Sequence, residues 1–207
     1  MQCWFARGAV PYFIAVFLSS FVQMGLFILF QRWLSFSFTG ASFFWRSMLL
    51  QFSLFVPCIF MVAPASFFSC RFPKGRVMAW SSFGMTLTLV AIAVLFGLDI
   101  GWVAFGLMLL FGIFLSIHSP AKLGILKELF GDENLAKANA WQSFFAILGM
   151  VLVSFLTISI NPGEDSLLHY EILPYIFLGM SFLGTISSFF IHGGKIRPSI
   201  KMRSPKR

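Results

Sequence analysis

About six apolar runs, each close to the length of one bilayer crossing, dominate this chain. A helix needs about 20 apolar residues to cross a hydrocarbon core about 30 Å thick, because each residue advances it by about 1.5 Å. The runs extend from about Val10 to Phe30, Phe43 to Phe67, Val77 to Phe96, Trp102 to Ile117, Ala140 to Ile160 and Ile172 to Ile191. Inside lipid, only a helix or a closed barrel pairs every backbone N–H and C=O. Runs this long predict helices, so the expected fold class is an all-α membrane protein, a six-transmembrane-helix bundle. Pro57, Gly84 and Gly149 fall within the runs. Membrane helices tolerate both residue types, and small residues let backbones approach closely. The first run is too long for a secretory h-region and lacks a clear A-x-A cleavage pattern, so it reads as a retained helix.

Only 11% of the 207 residues are charged, and 29 are Phe. A soluble domain carries about 25% charged residues, so this chain has too few to cover a water-exposed globule. The net charge of +8 is not a nucleic-acid signal, because the basic residues sit in short segments between the runs. There they set topology. With the N-terminus in the cytoplasm, the inside set is Arg7, Arg71, Lys74, Arg76, Lys122, Lys127, Lys137, Lys195, Arg197, Lys201, Arg203, Lys206 and Arg207. Only Arg32 and Arg46 fall outside, and Arg46 lies near a helix end from which it can snorkel. Asp99, Glu164, Asp165 and Glu171 fall outside, and Glu128, Asp132 and Glu133 inside. Basic residues favour the cytoplasmic side, so both termini are expected there. Residues 1–192 then form the bundle, and 193–207 a basic cytoplasmic tail or the start of a linker.

The longest charged connection, Ser119 to Asn139, lies between the fourth and fifth runs on the inner side. Its LGILKELF segment has apolar residues at helical spacing. It reads equally as a short amphipathic helix at the interface or as an extension of the fourth helix.

Motifs for chemistry are missing. Cys3, Cys58 and Cys70 show no CxxC spacing, so no metal site or disulfide is expected. There is no G-x-S-x-G, and GMSFLG at Gly179 to Gly184 has the wrong spacing. HExxH, Walker A and dinucleotide motifs are absent too. His118, His169 and His192 are expected near span ends or in loops, with no ionisable residue deep in a span. No catalytic residue, metal or cofactor is expected, and the chain does not read as an enzyme. The polar residues inside the runs are Ser19, Ser20, Gln23, Gln51, Ser53, Thr86, Thr88, Gln142, Ser143 and Ser154. Gln23, mid-way along the first run, leads as a substrate contact. An interhelical hydrogen bond serves equally well as its role.

Four stretches, FLSSF (Phe17 to Phe21), PKGRVM (Pro73 to Met78), SPAKLGILKEL (Ser119 to Leu129) and LAKAN (Leu135 to Asn139), resemble lysophospholipid transporters of the major facilitator superfamily. Their order and spacing match the first half of such a transporter and cover most of the chain. The resemblance implies one of two six-helix halves, each built from inverted 3+3 helix repeats. It implies a substrate such as lysophosphatidylethanolamine, moved to the inner leaflet of a bacterial inner membrane. An acyltransferase paired with an acyl-carrier-protein synthetase would reacylate it there. It implies an inner gate of Lys74, Gly75, Arg76, Lys122, Lys137 and Asn139, and a substrate-contacting set of Gln23, Gln142 and Ser143. The expected partners are membrane lipids and a second six-helix half, as a separate chain or a second copy, and no nucleic acid. Gly25, Ser53, Gly149 and Ser154 are candidates for the face against that half, or for packing within this one.

The pattern departs from the family in its acids. Gln23 and Met24 stand where the family has an Asp-Asn pair. Ser66 and Cys70 stand where a Gly and an Asp precede KGR, and Ser143 stands where a Glu follows KAN. The alternative function is a non-transporting membrane scaffold that binds a cytoplasmic lipid-modifying enzyme. The missing acids favour the scaffold, and the intact loop motifs favour transport.

Overall fold

The computed structural model describes residues 8–98, 100–159 and 168–191, without the side chains of 69, 70 and 168–172. Arg7, Cys3, Asp99, the acids of the segment around 161–167, His192 and the tail 193–207 lie outside the described residues, as do the side chains of Cys70, His169 and Glu171. The described residues form five helices and no strand: α1 (Ala9–Ser37), α2 (Gly40–Arg71), α3 (Lys74–Gly97), α4 (Gly101–Ser159) and α5 (Leu168–Phe189). Four of these, α1 to α4, are long and apolar enough to cross a membrane; the apolar part of α5, Leu173–Phe189, is shorter.

The number of helical elements is five and not the expected six. The fourth and fifth expected spans and the charged connection between them are all part of α4, which is 59 residues long. Pro120 removes one backbone hydrogen bond there without ending the helix. The break comes at Gly131, at φ 70 and ψ 173, a combination essentially reserved for glycine. It divides α4 into an N limb (101–130) and a C limb (132–159). Ser119 to Asn139 is therefore no separate interfacial helix. It extends the N limb to the break and begins the C limb after it. An ion pair between Lys127 Nζ and Asp132 Oδ1, at 2.8 Å, spans the break.

Two residues connect α1 to α2 (Phe38, Thr39) and α2 to α3 (Phe72, Pro73), so these neighbours run antiparallel. α4 is the hub and packs on α1, α2 and α3; α5 packs on α1 and α3. The core divides along the bundle. One cluster gathers Phe30, Leu89, Ile92, Met108, Phe111 and Phe177. The other, toward the Gly131 end, gathers Tyr12, Val16, Met78, Ile125 and Leu126.

Glycines set the closest crossings. A Cβ at Gly149 would lie 2.6 Å from the Phe17 carbonyl oxygen. A Cβ at Gly112 would lie 2.9 Å from the Ser53 carbonyl oxygen. Pro57, four residues after Ser53 in α2, has no N–H to offer that carbonyl. The C–H groups of Gly112 face it instead, a weak contact that recurs between close helices. Gly25 lies against Phe177 and Val153. Of the four small residues that could serve either the face against a second half or packing within this one, Gly25, Ser53 and Gly149 pack inside the bundle, and Ser154 borders an open groove.

The two ends of the bundle differ. Trp33, Phe38, Phe96, Trp102 and Phe105 interlock at one end. The Arg46 guanidinium lies 3.7 Å over the Phe38 ring, and its Nη1–H donates to the Ser42 carbonyl at 3.3 Å. Tryptophan and a stacked arginine suit a membrane–water boundary. The opposite end carries the α2–α3 turn, the start of α1 and the α4 break, and collects Lys74, Lys122, Lys127, Glu128 and Asp132.

Candidate functional site

The charged end is built around the α2–α3 turn. The Pro73 carbonyl accepts from the N–H groups of Arg76 and Val77 at 2.9 and 3.1 Å, which starts α3 with Lys74 as its first residue. α4 leaves room for the Lys74 stem at Gly124, where a Cβ would sit 2.5 Å from Lys74 Cδ. Lying across that glycine, Lys74 Nζ reaches Glu128 Oε1 at 2.9 Å. Glu128 is one turn beyond Gly124, on the same helix face. The two side chains keep 30% and 21% of their exposure. Gly75 is buried, and the exposed side chain of Arg76 has no hydrogen-bond or ion-pair partner among the described residues. Lys122 is half-buried; Lys137 and Asn139 are exposed near the start of the C limb.

α1 ties the two limbs together. The Tyr12 hydroxyl donates to Gln142 Oε1 on the C limb and also reaches the Lys122 carbonyl on the N limb at 3.2 Å. Its neighbour Phe13 touches Phe130 before the break and Phe145 after it.

A cleft opens further along the bundle. Gln23, Met24 and Phe27 of α1, Gln51, Leu54 and Phe55 of α2, and Met150 of the C limb line a volume of about 330 Å³. Met24 and Met150 also border an adjoining groove of about 340 Å³ with Val151, Ser154, Phe155 and Ile158. Gln23 and Gln142, both expected to contact substrate, do not share this cleft. Gln142 is buried against Tyr12, eight residues before Met150 and thus about 12 Å away along the limb. Gln51 shares the cleft with Gln23 instead. Ser143 is exposed two turns before Met150, outside the lining.

A third cluster is buried. His118 was expected near a span end, but the helix continues past it and α3 covers it, leaving 2% exposure. Its Nδ1 lies 3.2 Å from Ser81 Oγ and 3.4 Å from Ser82 Oγ. Ser82 Oγ lies 3.3 Å from Ser188 Oγ. One turn along α3, Thr86 Oγ1 lies 2.7 Å from Ser181 Oγ and 2.8 Å from Thr185 Oγ1. A cavity of about 20 Å³ adjoins this seam, lined in part by Ser19, Ser82, Ser181 and Thr185. The signal for the seam is present in the sequence. Ser82 and Thr86 on α3, and Ser181, Thr185 and Ser188 on α5, recur at the spacing of one helix face.

No family model, curated protein or solved structure matches this chain. Its chemistry is therefore argued from its own geometry. Two amides in an apolar wall hydrogen-bond hydroxyl, ester or phosphate oxygens, and flexible methionines with phenylalanines accept an alkyl chain of variable shape.

Proposed function

We propose that this chain forms one half of an alternating-access transporter for single-chain phospholipids such as lysophosphatidylethanolamine. A second six-helix half, a separate chain or another copy, would supply the opposite wall of the Gln23–Gln51 cleft. The observation that carries the reading is the cleft's mixed lining. Gln23 and Gln51 stand beside Met24, Phe27, Phe55 and Met150, and the cleft continues into the apolar groove of Val151 and Phe155. One polar site joined to one apolar channel matches a lipid with one head group and one tail.

The contact pattern supports the same reading. Gly84 of α3 lies on Phe114 of the N limb, as Gly184 of α5 lies on Leu18 of α1. α2 meets the N limb at Gly112, and α1 meets the C limb at Gly149. α3 and α5 pair with each other. Exchanging α1, α2 and α3 for the N limb, the C limb and α5 leaves this set unchanged, as an inverted three-helix repeat requires. Ser81-x-x-Gly84 and Ser181-x-x-Gly184 occupy equivalent places in that exchange.

Lys74, Gly75, Arg76, Lys122, Lys137 and Asn139 would serve the inner gate on the cytoplasmic side of a bacterial inner membrane. Arg76 would pair with an acid or helix end of the second half, while Lys74 is held by Glu128 within this one. Gln23, a neutral amide, would bind the head group by hydrogen bonds. An acyltransferase with an acyl-carrier-protein synthetase would take up the delivered lipid.

The test is uptake of labelled lysophosphatidylethanolamine by membrane vesicles from cells that make the chain and cells that lack it. Arg76→Ala should lower uptake several-fold without loss of inserted protein. Arg76→Lys should recover part of it, because an ammonium lacks the guanidinium fork. Equal uptake with and without the chain would sink the transport reading.

A further inference from the structure

The buried cluster at His118 stands apart from the cleft and takes no part in head-group binding. One assignment of hydrogens satisfies every contact around its imidazole at once. Ser81 Oγ–H donates to the Met78 carbonyl at 2.9 Å. Ser188 Oγ–H donates to the Gly184 carbonyl at 2.9 Å, so the Ser82 hydroxyl donates to Ser188 Oγ. Each serine has one hydrogen to give. Both oxygens beside Nδ1 therefore offer lone pairs, Nδ1 carries the ring proton, and Nε2 is left with a bare lone pair. Nε2 is buried without a hydrogen-bond partner, the one such side-chain atom among the described residues. An unmet buried acceptor is costly and calls for a role. An ionisable side chain inside a membrane bundle marks a proton or ion pathway by default.

We propose that His118 Nε2 is the proton-loading site of this bundle. Its chemistry stands on the seam itself, and its purpose rests on the transport reading. Reached by water through the hydroxyl seam from the tryptophan-bearing end, Nε2 accepts one proton. The resulting imidazolium keeps its Nδ1–H on Ser81 and Ser82, and it gives the Nε2 proton to water when the α3–α4 seam opens toward the Lys74 end. The charged and titratable groups nearest to it on the packed elements are Lys122 one turn along α4, Lys74 with its partner Glu128 further toward the start of α3, and Tyr12 on α1 at the Lys122 carbonyl; α5 brings the Ser188 hydroxyl to Ser82. Lys122 carries the same sign of charge as a protonated imidazole. The hydroxyl file of Ser82, Thr86, Thr185 and Ser181 leads from the ring to a cavity with room for one water.

Nitrogen-15 NMR of the histidine-labelled full chain in lipid bilayers reads the ring directly. His118→Asn assigns the signal, keeps a donor where Nδ1 stood and removes Nε2. At neutral pH the wild-type signal should be the neutral Nδ1–H tautomer. It should become protonated at both nitrogens as the pH is lowered. An Nε2–H tautomer, or a ring that stays neutral under those conditions, overturns the proposal and leaves Nε2 sealed by a structural water. In vesicles, an inward proton gradient should accelerate wild-type uptake several-fold. His118→Asn, shown to be folded by an unchanged melting transition, should lose that acceleration. Gradient-driven uptake that persists in His118→Asn also overturns it. No uptake by the wild type would count against the transport reading alone, and the NMR arm would still decide His118.

Discussion

α2 and α3 are both long and apolar enough to cross a bilayer, yet 22% of the apolar window of α2 is buried against 56% of that of α3. α2 turns Phe44, Phe52, Phe55, Ile59 and Phe60 outward. α3 turns Ser81, Ser82, Thr86 and Thr88 inward. In water the arrangement would be reversed. In lipid an exposed phenylalanine already has apolar neighbours, so burying it in protein gains little. Small residues that permit close approach and hydroxyls that need partners then decide which face packs. The apolarity of these helices locates them in a membrane. Their glycines, serines and threonines locate them in the bundle.

The comparison breaks most visibly at the close crossings. A methyl at Gly149 would meet the Phe17 carbonyl oxygen at 2.6 Å and the Phe21 amide nitrogen at 3.2 Å. Both are backbone atoms and cannot swing away. Gly149→Ala should therefore cost about 1–3 kcal/mol in reversible unfolding from detergent micelles. Phe60→Ala on α2, where the ring is 77% exposed, deletes far more side chain. It should change stability by no more than about 0.5 kcal/mol. Equal losses at the two positions would mean that α2 is covered by protein in the folded state.

Gly131 isolates a different cause. Nothing lies within 4 Å of where its Cβ would stand, so Gly131→Ala meets no steric neighbour. It must instead hold an L-residue at φ 70 and ψ 173, at a cost of about 1–3 kcal/mol. Unfolding measurements should show that loss although the position is exposed. A neutral substitution would mean that the limbs of α4 can join as one continuous helix.

Much of the frame was legible in the sequence, because hydropathy and length report on a bilayer crossing directly. α2, α3 and α5 follow the apolar runs to within four residues at either end; α1 begins within one residue of its run but continues to Ser37, past the expected end at Phe30. Where the chain turns between the fourth and fifth runs was not legible. Pro120 and the charges of Ser119 to Asn139 look like punctuation, and the break sits at Gly131, whose backbone angles no hydropathy pattern encodes. Gln23 could be picked out because an amide mid-way along an apolar run is conspicuous. Its partner Gln51 could not be separated from Gln142, because facing across two helices depends on helix rotation. His118 was misplaced for a related reason. Its run appeared to end at Ile117, and only the continued helix with α3 over it buries the ring. Ser181, Thr185 and Ser188 were visible as a stripe, but their meaning depends on α3 bringing Ser82 and Thr86 opposite.

Hydroxyls sharpen the α2–α3 contrast at smaller amplitude. Thr86 bridges to Ser181 and Thr185 on α5, whereas Ser66 on α2 donates only to the Val62 carbonyl of its own helix. Thr86→Val preserves shape and removes the bridge. Membrane double-mutant cycles put such bonds at about 0.6 kcal/mol, with a maximum near 1.7. Ser66→Ala should fall below detection in the same unfolding assay. A larger loss at Ser66 than at Thr86 would reverse the inside–outside assignment of the two helices.

The smallest effect is expected where α2 ends and α3 begins. Lys74 and Glu128 are 2.9 Å apart but keep 30% and 21% of their exposure. Solvent screens such a pair, and its coupling should be about 0.2–1 kcal/mol in a Lys74→Met, Glu128→Gln cycle, shrinking as salt is added. Gly124→Ala probes the same contact from below. Its new methyl would press on Lys74 Cδ and Cε, atoms of a flexible chain that can move aside, so stability should scarcely change while the cycle coupling disappears. That outcome would separate the two kinds of glycine in this bundle. Gly149 is fixed by backbone against backbone, and Gly124 only makes way for a charged side chain. A Gly124→Ala penalty as large as that of Gly149→Ala would show instead that α3 and α4 are held at Gly124 by their backbones, with the ion pair incidental to their packing.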